Sequence, residues 1–323
     1  MPEWVLRAQS PIWTGDADRN GERTVTTGLL GSLRWWFEVV VRGLGGSACD
    51  PVDSGRCCPD KNGKRCVVCE LFGCTGWARK FRFDVLDESG NIKRDQIKGG
   101  ETFRFRLTPL RPVCEEERAL LDLTLRLIAG YGAIGGKTVL KPSDEKTWAE
   151  KPHHQDYGLI AIVEPLDSPP MSKEDLQRYL ATGWRSVDHS DFAWASLKSF
   201  WCVRRELARQ SKTQSAFNRL LGRKEDKSIK EKKGKRVIRW SDFLVNGQDK
   251  VSRWLAGKQQ ESKKIFSFRD PARTFGFVNP DLLNLDDMRA RLKSVWSDLK
   301  DEGFLKGSNI LEDLLAKATE GAR

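Results

Sequence analysis

Eight cysteines are the residues of this chain best suited to do chemistry, and six of them fall between Cys49 and Cys74. Two stand as Cys66-x2-Cys69, Cys74 follows after four more residues, and Cys57, Cys58 and Cys49 lie upstream. A Cys-x2-Cys turn presents two thiolates to one ion. Cys74 supplies a third ligand and an upstream cysteine a fourth, which together predict a tetrahedral zinc site. The expected fourth ligand is Cys57 or Cys58, with Cys49 as the alternative. Four thiolates leave no open position for water, so the expected role of zinc is structural. Asp60-Lys61-Asn62-Gly63-Lys64 between the cysteines has no apolar side chain to pack, and a metal would supply the folding energy there. In a reducing compartment such a cluster points to metal rather than to disulfides. Cys114 and Cys202 are isolated and are expected to be core thiols.

Other reactive patterns are few. The chain has three histidines, and no Gly-x-Ser-x-Gly or His-Glu-x-x-His motif. Asp16 and Asp18 sit in a polar loop, where they either act as acid/base or metal-binding groups or cap the loop's own N–H groups. Gly136-Lys137-Thr138 imitates a phosphate loop. The motif needs a glycine where Tyr131 stands, and a strand where this sequence has a helical pattern. ATP binding is therefore not expected. Gly132, Gly135 and Gly136 can still bring backbone N–H groups close to a polyanion, with Lys137 adding charge, or simply end a helix.

The 323 residues include 56 Lys+Arg and 45 Asp+Glu, a net charge of +11. Residues 204–239 hold fourteen basic and four acidic side chains, so they alone carry +10 of it. This segment, with Lys230, Lys232, Lys233 and Arg236 at its centre, is expected to be a basic arm ordered by a polyanion, by a partner protein, or not at all. Nucleic acid is the commonest acidic partner. Twelve tryptophans add rings that can stack on bases. The candidate RNA contacts are Trp13 and Trp35 with Arg34 and Arg42, and Trp77 with Arg79, Lys80 and Arg82. No apolar run of 18 residues and no signal-peptide pattern is present, so a cytoplasmic location is expected.

The elements that must position these groups follow from periodicity. Trp4 to Trp13 predicts a first strand. Leu29, Leu30, Leu33, Trp36, Phe37, Val40, Val41 and Leu44 give an amphipathic helix ended by Gly43, Gly45 and Gly46, with Arg34, Glu38 and Arg42 on its opposite face. Phe81–Val85 and Phe103–Leu107 alternate as strands on either side of a turn at residues 87–91. Leu120 to Ile128 forms a second helix, and Tyr157–Val163 is expected to be a buried strand. The order β-α-β-β-α-β predicts an α+β fold, a ferredoxin-like (RRM-like) domain over residues 1–165 with the cysteine-rich zinc insertion at 47–78. Pro165–Pro170 resembles a linker. A second, more helical α+β domain, with a ferredoxin-like fold as one option, is expected over 171–323, with helical stretches at Asp175–Leu180, Leu282–Leu299 and Ile310–Leu315 and short strands at Phe266–Phe268 and Phe275–Val278.

Four segments carry a family resemblance. They are Pro11-Ile12-Trp13-Thr14-Gly15-Asp16, Gly28-Leu29-Leu30-Gly31-Ser32-Leu33-Arg34-Trp35-Trp36, Arg42-Gly43-Leu44-Gly45-Gly46, and Cys66-x2-Cys69-Glu70-Leu71-Phe72-Gly73-Cys74 running on to Thr75-Gly76-Trp77-Ala78-Arg79. Over residues 11–140 the chain resembles the RAMP superfamily, in particular RAMP subunits of the Cmr, type III-B CRISPR, effector. The resemblance implies ferredoxin-like domains whose glycine-rich loops lie against RNA. It implies a non-catalytic subunit at the head of an antiviral complex, contacting the 3′ region of the guide RNA, the target RNA, or both, beside other RAMP subunits. A backbone subunit of the family cleaves target RNA with an aspartate in the loop after its first strand. Asp16 and Asp18 occupy that loop here in a different flanking pattern, which leaves a ribonuclease as the alternative; a subunit that serves assembly alone is the other.

Overall fold

A computed structural model describes residues 3–15, 21–50, 57–136, 151–188, 190–207, 216–220, 250–257 and 262–320. The first sheet is built from β1 (Glu3–Ala8), β2 (Phe81–Asp87), β3 (Thr102–Pro109) and β4 (Ile160–Glu164) in the order β2-β3-β1-β4, every pair antiparallel. α1 (Thr26–Gly43) follows β1, and α3 (Glu115–Tyr131) follows β3. This is the expected β-α-β-β-α-β arrangement. The period of two places Trp4, Leu6 and Ala8, Phe81, Phe83 and Val85, and Phe103, Phe105 and Leu107 in the core. Their neighbours Arg7 and Arg82 stay exposed, and Arg104 and Arg106 half-buried. Leu29, Leu33, Trp36 and Phe37 of α1 and Leu120, Leu123, Leu127 and Ile128 of α3 are buried. The indole N–H of Trp4 donates to the buried Asp122 carboxylate at 2.9 Å.

Three local differences from the expected elements have physical causes. β1 stops at Ala8; beyond it the chain leaves the ladder, and the Ile12 N–H bonds the Ile97 carbonyl instead. β4 is an edge strand whose end is exposed, with Val163 53% accessible, rather than a buried strand. The segment 157–159 before it stays outside the strand because Gly158 sits at φ 82° against the Ile134 carbonyl, where no side chain fits. The cysteine-rich insertion, aperiodic in sequence, contains a short helix, α2 (Val67–Phe72), with Cys66 at its N-cap.

The second sheet joins β5 (Phe200–Val203), β6 (Ile265–Arg269), β7 (Ala272–Phe277) and β8 (Leu305–Lys306) in the order β6-β7-β5-β8. Read from β5 as its first strand, this is the same order as the first sheet. The helical steps are α5 (Ala216–Leu220) and α6 (Lys250–Ala256) before β6, and α7 (Leu285–Lys293) after β7. Trp201, Leu255, Ile265, Met288 and Leu292 centre its core. α4 (Lys173–Ala181) and α8 (Gly307–Glu320) complete the described helices.

Contacts divide the chain into two compact units, one of residues 1–137, 157–200 and 306–323, the other of 138–156 and 201–305. The Pro165–Pro170 segment is thus internal to the first unit, and the C-terminal helix returns to it. Among the described residues no helix is long and apolar enough to cross a membrane.

Candidate metal centre and nucleic-acid interface

The chain leaves α1 through a turn at Leu44–Gly46, which carries Cys49 back beneath the helix, and α2 offers Cys66 and Cys69 from its first turn. Cys58 reaches the same point. The sulfurs of Cys49, Cys58, Cys66 and Cys69 all lie within 4.8 Å of one another, and all four residues are buried. Cys49 and Cys69 sulfurs are 3.3 Å apart. Cys58, Cys66 and Cys69 of the expected set are thus gathered. Cys49, held in reserve as the alternative, completes the group, and Cys57 and Cys74 lie outside it. Cys74 lies beside the group, its thiol against Cys69, after Gly73 at φ 85° turns the chain into a bridge between Cys74 and Trp77. Cys57 instead contributes its carbonyl, which accepts from Arg185.

The donor set fits zinc. Four thiolate-capable sulfurs converge, and a Zn–S distance of about 2.3 Å sits comfortably within their separation. The surroundings suit sulfurs bearing negative charge. The Arg34 guanidinium donates to Cys69 Sγ at 3.3 Å, Arg185 to Cys58 Sγ at 3.6 Å, and the backbone N–H of Cys66 to Cys58 Sγ at 3.2 Å. Hydrogen bonds among the four sulfurs pull the Cys58 thiol far below its ordinary range and Cys66 down to about 7, and push the Cys49 and Cys69 thiols up. Burial pushes Cys114, one of the two isolated thiols, up to about 11.

Arg34 and Arg42 were expected on a solvent face of α1 and lie under the insertion instead. Arg34 bonds Glu38 at 3.1 Å and the Gly73 carbonyl at 2.8 Å. Arg42, its side chain 3% exposed, bonds the carbonyls of Ala195 and Ala48 and pairs with Glu38 at 3.5 Å. Burial raises the Glu38 carboxyl above its ordinary range, with Arg42 and Arg34 opposing. The i, i+4 spacing that marks a solvated stripe serves equally to strap a charged insertion onto a helix.

The loop after β1 and the glycine loop after α3 do meet. Thr14 Oγ1 accepts from the Val25 N–H and so fixes the entry to α1. The Gly136 N–H donates to the Trp13 carbonyl at 2.9 Å, and Gly135 donates to Ser32 Oγ on α1 at 3.1 Å. These N–H groups are therefore used inside the protein rather than turned toward a polyanion. Gly132 makes room for the Trp36 ring, whose indole N–H bonds the Ala133 carbonyl; a Cβ at Gly132 would stand 2.6 Å from that ring. Trp13 is half-buried, edge-on to Tyr157 at 5.4 Å. Asp16, Asp18, Lys137, Lys230, Lys232, Lys233 and Arg236 lie outside the described residues, as does most of 204–239.

Trp77 and its neighbours form a separate group. Its ring lies beneath the Arg65 guanidinium at 3.5 Å and close to that of Arg111 at 4.4 Å. Glu70 bonds both arginines, at 3.1 Å each, and Lys80 at 3.7 Å. Lys80 also bonds the buried Glu117 at 2.9 Å. Lys80 is thus held inward, while Arg82 is 60% exposed beside Asp84 and Arg79 is half-buried. Sequence spacing could not reveal Arg65, Arg111 or Arg185, because each reaches its partner through tertiary folding.

Residues 5–140 match the RAMP superfamily. No curated protein matches the chain. Solved structures of similar shape include Cmr1 from Pyrococcus furiosus in its apo form, at 12% identity and TM-score 0.45 over 95% of this chain and 98% of that one. Another is a chain of the type III-B Cmr-beta complex bound to cognate target RNA, at 12% identity and TM-score 0.45 over 92% and 98%. A chain of a type IV-B CRISPR complex follows at 15% identity and TM-score 0.32 over 56% and 99%. The match thus covers the segment that holds α1, the four-cysteine group and the glycine loop.

Proposed function

We propose that this chain is a non-catalytic, RNA-binding subunit of a type III-B (Cmr) CRISPR effector, of the kind numbered one among its RAMP subunits. It contacts the guide RNA toward its 3′ region, the target RNA, or both, in antiviral defence within the cytoplasm, beside other RAMP subunits. The observation that carries this reading is the RAMP match over residues 5–140, which spans the loop after β1, the glycine loop and the cysteine group together. The more specific assignment rests on the Ile12-Trp13-Thr14-Gly15-Asp16 and Arg34-Trp35-Trp36 segments. Zinc is the metal, held by Cys49, Cys58, Cys66 and Cys69, and its part is to fold the insertion.

The RNA contacts proposed are the half-buried Trp13 and Trp35, the more exposed Arg79 and Arg82, Lys137, and the basic arm around Lys230, Lys232, Lys233 and Arg236. Phosphate contacts then dominate affinity, because guide–target pairing reads the sequence. The test is RNA binding by the full chain across a salt series. Replacing Lys230, Lys232, Lys233 and Arg236 by glutamine should flatten the slope of log affinity against log salt by roughly 3, at about 0.7 per single-strand phosphate contact. An unchanged slope would remove the arm from the RNA site. Unchanged RNA affinity together with lost assembly would favour a partner-binding arm.

A further inference from the structure

A cavity of about 370 Å³ opens beside the Arg34–Glu38–Arg42 face of α1. That volume is at the lower end of the range of small-ligand sites. Its walls come from Gly31, Arg34, Trp35, Glu38 and Arg42 of α1, Asp50, and Phe192 and Ala195. The lining is unusual in offering donors, acceptors and an aromatic ring together. Glu38 is engaged by Arg34 and Arg42, so it acts as the clamp that orients both guanidiniums. Arg42 is buried, and its Nε has no hydrogen-bond partner. Arg34, its side chain 18% exposed, is the more accessible guanidinium of the two. Asp50 contributes a carboxylate to the wall, a group with about four acceptor sites. Trp35 supplies an indole wall, set edge-on to Trp36 at 5.0 Å.

We infer that this cavity takes one unstacked nucleobase of the bound RNA and that its lining prefers guanine. The inference rests on the RNA-binding reading above. Guanine presents ring and exocyclic N–H donors beside a carbonyl acceptor. A carboxylate takes the donors and a guanidinium serves the acceptor. Adenine lacks the carbonyl and cytosine lacks the paired donors, so neither satisfies Asp50 and an arginine at once. Single-stranded RNA is recognised in this manner, with bases splayed out, stacked on aromatic rings and bonded along their edges. Gly31 borders open space, where an added Cβ would meet no atom within 4 Å, so a larger side chain there would project beside the cavity without a clash.

The test uses the full chain and labelled eight-nucleotide RNAs: oligouridine, and the same strand with one central guanine, adenine or cytosine. Guanine should tighten binding at least fivefold over oligouridine, and adenine and cytosine by less than twofold. Gly31→Leu fills the cavity while improving helix propensity, so the fold is kept and the guanine advantage should vanish. Asp50→Asn should also abolish it. Equal affinity for all four strands, or an advantage that survives Gly31→Leu, overturns the proposal. Guanosine monophosphate titrated alone separates the two sources of the base. Saturable binding of it, lost in Gly31→Leu but with no guanine advantage in the oligonucleotides, would make this a free-nucleotide site and overturn the RNA assignment. If no oligonucleotide binds at all, the RNA-binding reading fails, and the inference of an RNA base fails with it. The same titration then reports whether the cavity still selects guanine.

Discussion

Between α1 and β2 of the first sheet the chain inserts four converging cysteines, a short helix and a tryptophan set against two guanidiniums. Between α6 and β6 of the second sheet only residues 257–264 intervene. Yet the two sheets share one strand order. Both even use a glycine to admit a tryptophan: Gly132 against Trp36 in the first, Gly276 against Trp201 in the second. The core patterns needed for this topology are thus met by two different sequences. What distinguishes the regions is the chemistry of their connections, and that is where function is to be sought.

The comparison can be broken most severely at the metal group. Cys66→Ser with Cys69→Ser, or a strong chelator, should unfold the insertion and lower the first unit's melting transition by more than about 10 °C, because the zinc proposed for this group would supply folding energy there. The second unit, which has no such group among its described residues, should keep its transition. Elemental analysis should find one zinc per chain, unchanged in Cys57→Ser and Cys74→Ser and lost in the double variant. Acid should act in the same direction. Protons compete for the thiolates, so the first unit's stability should fall as pH falls, an effect that calorimetry across a pH series would measure.

A smaller loss is expected from Arg42→Met, which removes one of the two guanidiniums paired with the buried Glu38 and the donor to the Ala195 and Ala48 carbonyls, and should cost about 3 kcal/mol in denaturant unfolding. Gly132→Ala and Gly276→Ala probe the shared tryptophan contact. Each should cost about 1–3 kcal/mol, since the new Cβ would stand 2.6 Å from the Trp36 ring in one case and 2.4 Å from the Lys264 carbonyl in the other. A similar loss in both would show that the two sheets are built under one constraint; a loss in one alone would separate them. The least effect belongs to Arg82→Ala. Its pair with Asp84 is exposed, and stability should change by less than about 1 kcal/mol. RNA affinity is then the quantity to watch at that site.

The sequence was most legible where one residue's environment is set by its near neighbours. The alternation of Phe103, Phe105 and Leu107 fixed a strand face, and the stripe from Leu29 to Leu44 fixed a helix face. Cys66 and Cys69 were readable as a pair because a helical turn brings them together. The second sheet was harder to see. β8 has only two residues, and β5 four buried ones, too short for a period to show. The helical stretch at 282–299 contains α7 over nine residues only, with Asn284 capping its start by accepting from Asp286 and Asp287 N–H groups.

By itself, the sequence determined the order of elements, the alternation that buries one face of each, the existence of a cysteine group and the concentration of charge in 204–239. Only the tertiary structure decided which cysteines meet and which arginines face water. Cys49 joins the group because the turn after α1 carries it back toward Cys69 in space, which spacing along a chain does not encode. Arg34 and Arg42 turned inward because the insertion supplies carbonyls and sulfurs for them to bond. A charged side chain goes wherever its hydrogen bonds are satisfied, and those partners are assembled only when distant segments pack.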